Sequence, residues 1–437
     1  MFVIIYIYQS EAAVQMSGEV KSVLVFHVDA NSAYLSWTAA AMLEQGCETD
    51  IREIPSAIAG DPENRHGIIL AKSIPAKQYG VITGESIYEA RKKCPNLQVF
   101  APDYDLFLQC SDAMYEILSG YTPVIQRYSV DECFCDMTCS PAVVKDPVKT
   151  AYEIKDHIRS ELGFTVNIGI GTNKLCAKMA GELRKPDMVH TLWHDELPEK
   201  LWPLPVRELF MVGRATERKL AKFNIRTIGD LAKANPVFLR TLLKSHGQLV
   251  YEYANGIDNS SVTVNSEIIR KGIGNGLTYP YDMETEEEIF REALALCERV
   301  GSRLRKLKRT AGLVSVYLRS SSLSGYSHQV RLYSCIDTTT EIYDTVKQLI
   351  REMWKGEPVR AMSISVAELT CDEHVQLSIF DRKEREKAEH LDRAVDEIRN
   401  MFGDRSIFRG TFANSDTEPM QGGVNDGNYI MMGGYKQ

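Results

Sequence analysis

Apolar and polar positions alternate along this chain in short blocks, and the blocks predict its elements. Residues 22–29, SVLVFHVD, form a brief apolar run that reads as a buried strand ending on Asp29. NSAYLSWTAAAMLE follows as a helix, with Asn31 or Ser32 as its cap. Residues 33–102 mix short strands and helices, and KSIPAKQYGVITG supplies a loop and two lysines, Lys72 and Lys77. LFLQCSDAMYEILSGY is helical in pattern and YSVDECFCDM (128–137) is β-prone. PVKTAYEIKDHIRSELG is an amphipathic helix, FTVNIGIG (164–171) a second buried strand, and TNKLCAKMAGELRKP a helix ending at Pro186. Strands of a small sheet alternating with helices predict an α/β or α+β fold.

From about residue 192 the pattern turns helical and basic, with two short helical stretches around a turn at Val212-Gly213. A polar loop near 256–270 reads as a linker. A second α/β segment follows over about 270–370. Its clearest helix opens at Thr285 with Glu288 three residues on, a capping box. Ile289, Ala293, Leu296, Val300, Leu304 and Leu307 keep helical spacing, and the helix ends in the basic run RVGSRLRKLKR (299–309). A polar tail, then a mixed helix and a Gly-rich end, close the chain, and no internal repeat is visible.

A chain of 437 residues predicts roughly two to four domains. With 44% apolar and 25% charged residues, it is too ordinary in composition for disorder throughout. Its net charge of −8 argues against an all-over nucleic-acid coat but leaves room for a local basic patch. The ten cysteines form no CxxC pair and read as reduced cytosolic thiols. Cys133, Cys135 and Cys139 have poor zinc spacing and read as buried sheet cysteines. The apolar start, MFVIIYIY, falls far short of the roughly 20 residues that span a bilayer. It also lacks the basic start and cleavage site of a secretory signal, so residues 1–20 read as an extension ahead of the first domain.

The acidic residues change the picture. Strands do not usually carry Asp131 and Glu132 side by side in their middle, and adjacent side chains point to opposite faces. Both can face one site only if the strand breaks there, and no Gly or Pro marks a break. Taken singly, Asp29 is a helix cap and Asp131–Glu132 a turn. Together they are three carboxylates from two strands, a set that repels itself unless cations sit in it. An oxygen-only set suits Mg²⁺ or Mn²⁺, and a pair of such ions can serve phosphoryl transfer. The histidines of HTLWH (190–194) read as strand and turn, and the GIG of 169–171 as a strand end.

The motifs HVDANSAY (27–34), YSVDECF (128–134), GIGTNKLCAKMAG (169–181), RKP (184–186), PVRELFMVGRAT (205–216) and QLSIFD (376–381) occur in one order. In that combination the chain, from about residue 22 to 410, resembles the Y-family DNA polymerases, the translesion enzymes. The resemblance implies a polymerase right hand plus an α/β little finger: palm at 21–32 and 103–191, fingers at 33–102, thumb with a helix-hairpin-helix at 192–259, little finger at 270–370, and a tail at 371–437.

It also implies roles. Asp29 and Asp131 would hold both of two Mg²⁺ ions (or Mn²⁺), Glu132 the ion that activates the primer 3′-hydroxyl, and the Ala30 carbonyl would complete one shell. Tyr34 falls at the steric gate against ribonucleotides. Lys77 and Lys185 would bind the triphosphate. Gly213 would contact DNA phosphate at the hairpin turn, where Met211 replaces the usual earlier glycine. Arg299, Arg303, Arg305, Lys306, Lys308 and Arg309 would bind DNA, although basic residues at a helix end also suit its dipole. Gln376, Leu377, Ile379 and Phe380 would dock on a bacterial sliding clamp and tether the enzyme near a primer end. Ile74 stands where the family has a triphosphate-binding tyrosine, and Asn31 and Ala33 also depart from one branch, so the subfamily stays open.

The expected protein is thus a monomeric cytosolic DNA-directed DNA polymerase that takes dNTPs and primer–template DNA, without a membrane or a proofreading domain. Two other classes compete: an inactive clamp-tethered protein that binds damaged DNA, and a nucleotide cyclase. The intact acids argue against the first, and the hairpin, little finger and clamp motif against the second.

Overall fold

Six consecutive buried residues, Val25–Ala30, put the first strand at the centre of a five-stranded sheet. The computed structural model describes residues 23–420 apart from 64, 66, 265–269, 371–381, 414, 416, 418 and 419. The expected N-terminal extension and the QLSIFD stretch lie outside the described residues.

In chain order the elements begin β1 (Val25–Ala30), α1 (Ala33–Glu44), β2 (Ser56–Ala59), β3 (Ile69–Lys72), α2 (Ile74–Gln78), α3 (Ile87–Lys93), β4 (Gln98–Phe100) and α4 (Tyr104–Ser119). They continue with β5 (Ile125–Arg127), β6 (Glu132–Asp136), α5 (Pro141–Lys145), α6 (Pro147–Leu162), β7 (Val166–Gly171), α7 (Lys174–Glu182) and β8 (Val189–Leu192). Four short helices follow: α8 (Arg214–Ala221), α9 (Ile228–Ala232), α10 (Pro236–Leu243) and α11 (Ser245–Ala254). The last part holds β9 (Gly272–Met283), α12 (Glu286–Lys306), β10 (Thr310–Ser320), β11 (Gly325–Ile336), α13 (Thr339–Met353), β12 (Val359–Thr370) and α14 (Arg382–Phe402).

The chain divides into two units, residues 1–31 with 110–264 and residues 32–109 with 265–437. In the first, the sheet order is β5-β6-β1-β7-β8, with β1 antiparallel to both neighbours and β7 parallel to β8. α6 and α7 pack on this sheet. α7 lies so close to β7 that a Cβ on Gly169 would stand 1.9 Å from the Ala177 carbonyl oxygen, so only glycine allows this approach. The buried side of α7, Leu175, Cys176, Met179 and Ala180, continues into the core of the helical part through Leu220, Ile228, Leu231, Leu239 and Val250. α7 stops at Glu182 instead of reaching Pro186, and Lys185 lies in the loop that follows.

In the second unit, β3-β2-β4 form a small sheet with α1–α3, around Ala57, Ile69, Ala76, Ile87 and Ala90. α1 is not capped as the sequence suggests. Ser32 holds the cap position at φ 48° with no side-chain cap bond, and the Asn31 side chain bonds elsewhere. The larger sheet is antiparallel, ordered β11-β10-β12-β9, with α12 and α13 packed on it. Thr285 and Glu288 form the expected capping box, and Ile289, Ala293, Leu296, Val300 and Leu304 are fully buried.

The region after 370 is more than a polar tail. α14 docks beside α13 through charge. Arg399 Nη2 lies 2.8 Å from Glu298 Oε2, and Arg409 Nε lies 2.7 Å from Glu298 Oε1. Asp392 Oδ2 accepts the Thr339 N–H at 2.7 Å. A helix held by ion pairs leaves little apolar periodicity to read, which is why the sequence pattern misses its docking.

Candidate active site

The two adjacent carboxylates sit at a hairpin. β5 and β6 pair antiparallel, and the Tyr128 and Ser129 N–H groups both donate to the Glu132 carbonyl, at 2.9 and 3.2 Å. Asp131 therefore lies in the turn and Glu132 opens β6. The strand is interrupted without Gly or Pro, by a tight turn alone. Across the next ladder Asp29 pairs in register with Glu132, and the Ala30 N–H donates to the Asp131 carbonyl at 3.0 Å. The three acids thus come from two neighbouring strands at one end of the sheet.

Each carboxylate has a distinct partner. Lys185 Nζ donates to Asp29 Oδ2 and, at 2.8 Å, to Glu182 Oε1. Glu132 Oε2 accepts from Lys178 Nζ at 2.6 Å and meets His27 Nε2 at 3.1 Å. Ser129 Oγ donates to Asp131 Oδ1. Lys178, from α7, also lies over the Tyr128 and Phe210 rings at 5.3 and 5.5 Å. His27 and Lys178 stand inside the quoted motifs, yet the sequence reading gives them no role. Their link to Glu132 spans separate strands and a helix.

Burial drives the electrostatics. It pushes the Asp29 carboxyl up to about 7, with Glu132 and Asp131 adding to the rise and Lys185 opposing it. Burial also raises Asp131, against the Ser129 hydrogen bond. For Glu132 burial again disfavours the charge, but His27 and Lys178 outweigh it and hold the acid below its ordinary range. Burial pulls His27 below its ordinary value, against the Glu132 hydrogen bond. No group of three His, Cys, Asp or Glu side chains draws together as a metal cluster among the described residues. Asp29 and Glu132 are each paired with a lysine, Lys185 and Lys178.

The impB/mucB/samB family domain matches residues 28–182, its C-terminal domain residues 270–379, and its helix-hairpin-helix motif residues 194–225. The DNA polymerase IV of Clostridium acetobutylicum is 46% identical over 388 residues, covering 89% of this chain and 98% of its own length. The chain belongs to the impB/mucB/samB family of Y-family DNA polymerases. The DNA polymerase IV of Acetivibrio thermocellus is 36% identical over 391 residues, covering 89% of this chain and 96% of its own. A solved Y-family DNA polymerase chimera shares the fold at a TM-score of 0.69 and 19% identity, covering 80% of this chain and all of that one.

The remaining candidate residues of this Y-family chain fall in different surroundings. Tyr34 is half-buried and stacks on Phe107 with ring centroids 4.4 Å apart, beside Trp37 and Tyr104. Lys77 is exposed in the last turn of α2. Gly213 caps α8, and Met211 holds φ 71°, the left-handed conformation that suits glycine.

The basic end of α12 separates into two groups. Arg299 is buried and pairs with Asp404 at 2.9 Å. Arg305 is held by Asp392 and Asp396. Both arginines serve the docking of the C-terminal helix region. Arg303 is half-buried and reaches the Gly274 carbonyl, Arg309 is half-buried, and Lys306 and Lys308 are exposed. Of the three clustered cysteines, Cys133 and Cys135 are buried as expected, whereas Cys139 is exposed. No described helix is long and apolar enough to cross a membrane.

Proposed function

We propose that this Y-family enzyme is a DNA-directed DNA polymerase that adds dNTPs to a primer 3′ end at Asp29, Asp131 and Glu132, and so carries out translesion synthesis. The observation that carries this reading is the register of Asp29 against Glu132 with Asp131 in the adjoining turn. It puts three acids at one end of one sheet, where burial disfavours their charge. The oxygen-only donor set fits hard divalent cations. Asp29 and Asp131 would hold two Mg²⁺ or Mn²⁺ ions, with Glu132 on one and the Ala30 carbonyl on the other. Bound there, the ions would activate the primer hydroxyl and stabilise the leaving diphosphate.

The chain's own groups do the rest. Lys185, whose ammonium pairs with Asp29, would bind the triphosphate. Lys77 supplies a second phosphate-binding charge. Tyr34, held flat by Phe107, serves as the sugar gate. Gly213 offers phosphate contact at the thumb hairpin. Lys306 and Lys308, with Arg303 and Arg309 beside them, are the basic residues of α12 that we assign to DNA.

We assign the palm to 21–32 and 103–191, the fingers to 33–102, the thumb to 192–259 and the little finger to 270–370. Docking of Gln376, Leu377, Ile379 and Phe380 on a sliding clamp, action as a monomer and a cytosolic location complete the proposal.

The test is primer extension with dNTPs and Mg²⁺ on intact and abasic templates, with Asp131→Asn alongside. Extension by the unaltered protein, none by the variant, and none after chelation with EDTA are expected. An Asp131→Asn protein as active as the parent would refute the assignment.

A further inference from the structure

Two buried amides, Asn31 and Asn167, tie down the loop that carries Lys185. Asn167 Nδ2 donates to the Gly181 and Arg184 carbonyls at 3.0 and 2.7 Å. Carbonyls at the end of a helix lack intrahelical donors, and here a side chain from β7 supplies them. Asn167 Oδ1 accepts from Asn31 Nδ2 at 3.0 Å and from the Met188 N–H at 3.3 Å. Asn31 Oδ1 accepts from Thr165 Oγ1 at 3.0 Å and from the Asp187 N–H at 2.9 Å. The backbone is therefore gripped twice before Lys185, at Gly181 and Arg184, and twice after it, at Asp187 and Met188.

The same pair is joined to the acids. Asn31 follows Asp29 and Ala30 directly, and its N–H donates to the Thr165 carbonyl at 3.0 Å. The end of β1 and the Lys185 loop are thus fixed to one network, which sets where the ammonium stands relative to Asp29. Asp187 adds an outer anchor, with Lys155 at 2.9 Å and Arg159 at 3.2 Å. An amide side chain offers N–H donors and a carbonyl acceptor on separate atoms, and both asparagines use both. An apolar residue at 31 would leave the Asp187 N–H and the Thr165 hydroxyl without this acceptor in a buried setting.

We propose that Asn31 and Asn167 are positioning residues for nucleotide binding: they mount Lys185 so that its ammonium meets the incoming triphosphate without reordering of the loop. Neither touches the substrate. The inference rests on the reading of Lys185 as a triphosphate ligand.

Single-nucleotide incorporation by the full chain tests it, using Lys185→Ala, Asn31→Ala, Asn31→Asp, Asn167→Ala and the Lys185→Ala/Asn167→Ala pair. Hydrogen exchange of residues 182–189 is followed in parallel. Asn31→Ala and Asn167→Ala should raise the KM for dNTP about tenfold and change kcat less than about twofold. Amide exchange at Asp187 and Met188 should quicken in both. Asn31→Asp keeps the acceptor for Asp187 and should fall between parent and Asn31→Ala. In the Lys185→Ala background, Asn167→Ala should add little, because coupled residues are not additive.

If Lys185→Ala leaves KM unchanged, the triphosphate reading of Lys185 itself is wrong and the inference falls with it. If Lys185→Ala raises KM but the folded Asn variants do not, only the mount is refuted. A full additive effect in the double variant also refutes it. Should Asn167→Ala fail to fold, the two Asn31 variants decide, since they leave the Asn167 bonds to Gly181 and Arg184 intact.

Discussion

Arg305 grips Asp396 at two points, Nε to Oδ2 at 2.7 Å and Nη2 to Oδ1 at 3.0 Å, with Asp392 Oδ2 on its remaining nitrogen at 3.0 Å. This two-point geometry is the strong form of an ion pair. It makes α14 part of the second unit's fold. Both side chains are largely buried, so removing Asp396 takes two charge-assisted bonds from a buried guanidinium. Asp396→Ala should lower stability by about 3 kcal/mol, read as a lower urea midpoint. Arg305→Ala should leave the salt slope of DNA binding unchanged, whereas Lys306→Ala with Lys308→Ala should flatten it by about two charges. A flatter slope for Arg305→Ala alone would return that residue to the DNA surface.

Tyr34 is clamped face to face on Phe107, with 13° between the ring planes. A ring held this way cannot easily give ground to an extra hydroxyl. Tyr34→Ala should therefore increase ribonucleotide incorporation at least tenfold, a barrier change of about 1.4 kcal/mol, while keeping deoxynucleotide activity. Incorporation assays with paired ribo- and deoxynucleotides check this. Equal discrimination by parent and variant would sink the gate assignment.

Gly169 has no room for a side chain, because a Cβ would stand 1.9 Å from the Ala177 carbonyl oxygen and 2.4 Å from the Gly181 nitrogen. The obstructions are backbone atoms and cannot rotate away. Gly169→Ala should cost about 3 kcal/mol or more by forcing α7 off β7. Circular dichroism melting compares it with Gly46→Ala, where nothing lies within 4 Å of the added carbon but φ is +88°, so strain alone applies. Equal stabilities would mean that α7 does not seat on Gly169.

Glu292 is buried, with the Tyr281 hydroxyl at 3.0 Å and the Thr417 hydroxyl beside it. Burial raises its carboxyl above the ordinary value of 4.5. The folded state thus favours the neutral acid. That contribution is fully present below the unfolded value and is lost as pH climbs through the raised folded one. Glu292→Gln removes this titration, so its stability relative to the parent should improve as pH rises above 4.5. Urea midpoints at several pH values measure this. A constant difference would show that folding does not raise Glu292.

Local pattern was enough to read the strand ending on Asp29, the helix opened by Thr285 and Glu288, and the adjacency of Asp131 and Glu132. In each case residues near in sequence decide the outcome, through burial of an apolar run or a cap. Family resemblance then gave the acids their roles. What lay beyond the sequence was every relationship between distant residues. The turn that accommodates Asp131 and Glu132 carries no Gly or Pro, and it forms because β6 pairs with β5 and β1. The lysines on Asp29 and Glu132, and the Asn31–Asn167 mount, join residues more than 40 positions apart. The partners of Arg299 and Arg305 were not legible, because a basic helix end looks the same whether it meets phosphate or a carboxylate. Only the fold, by bringing α14 against α12 and α13, decided which charge each arginine met.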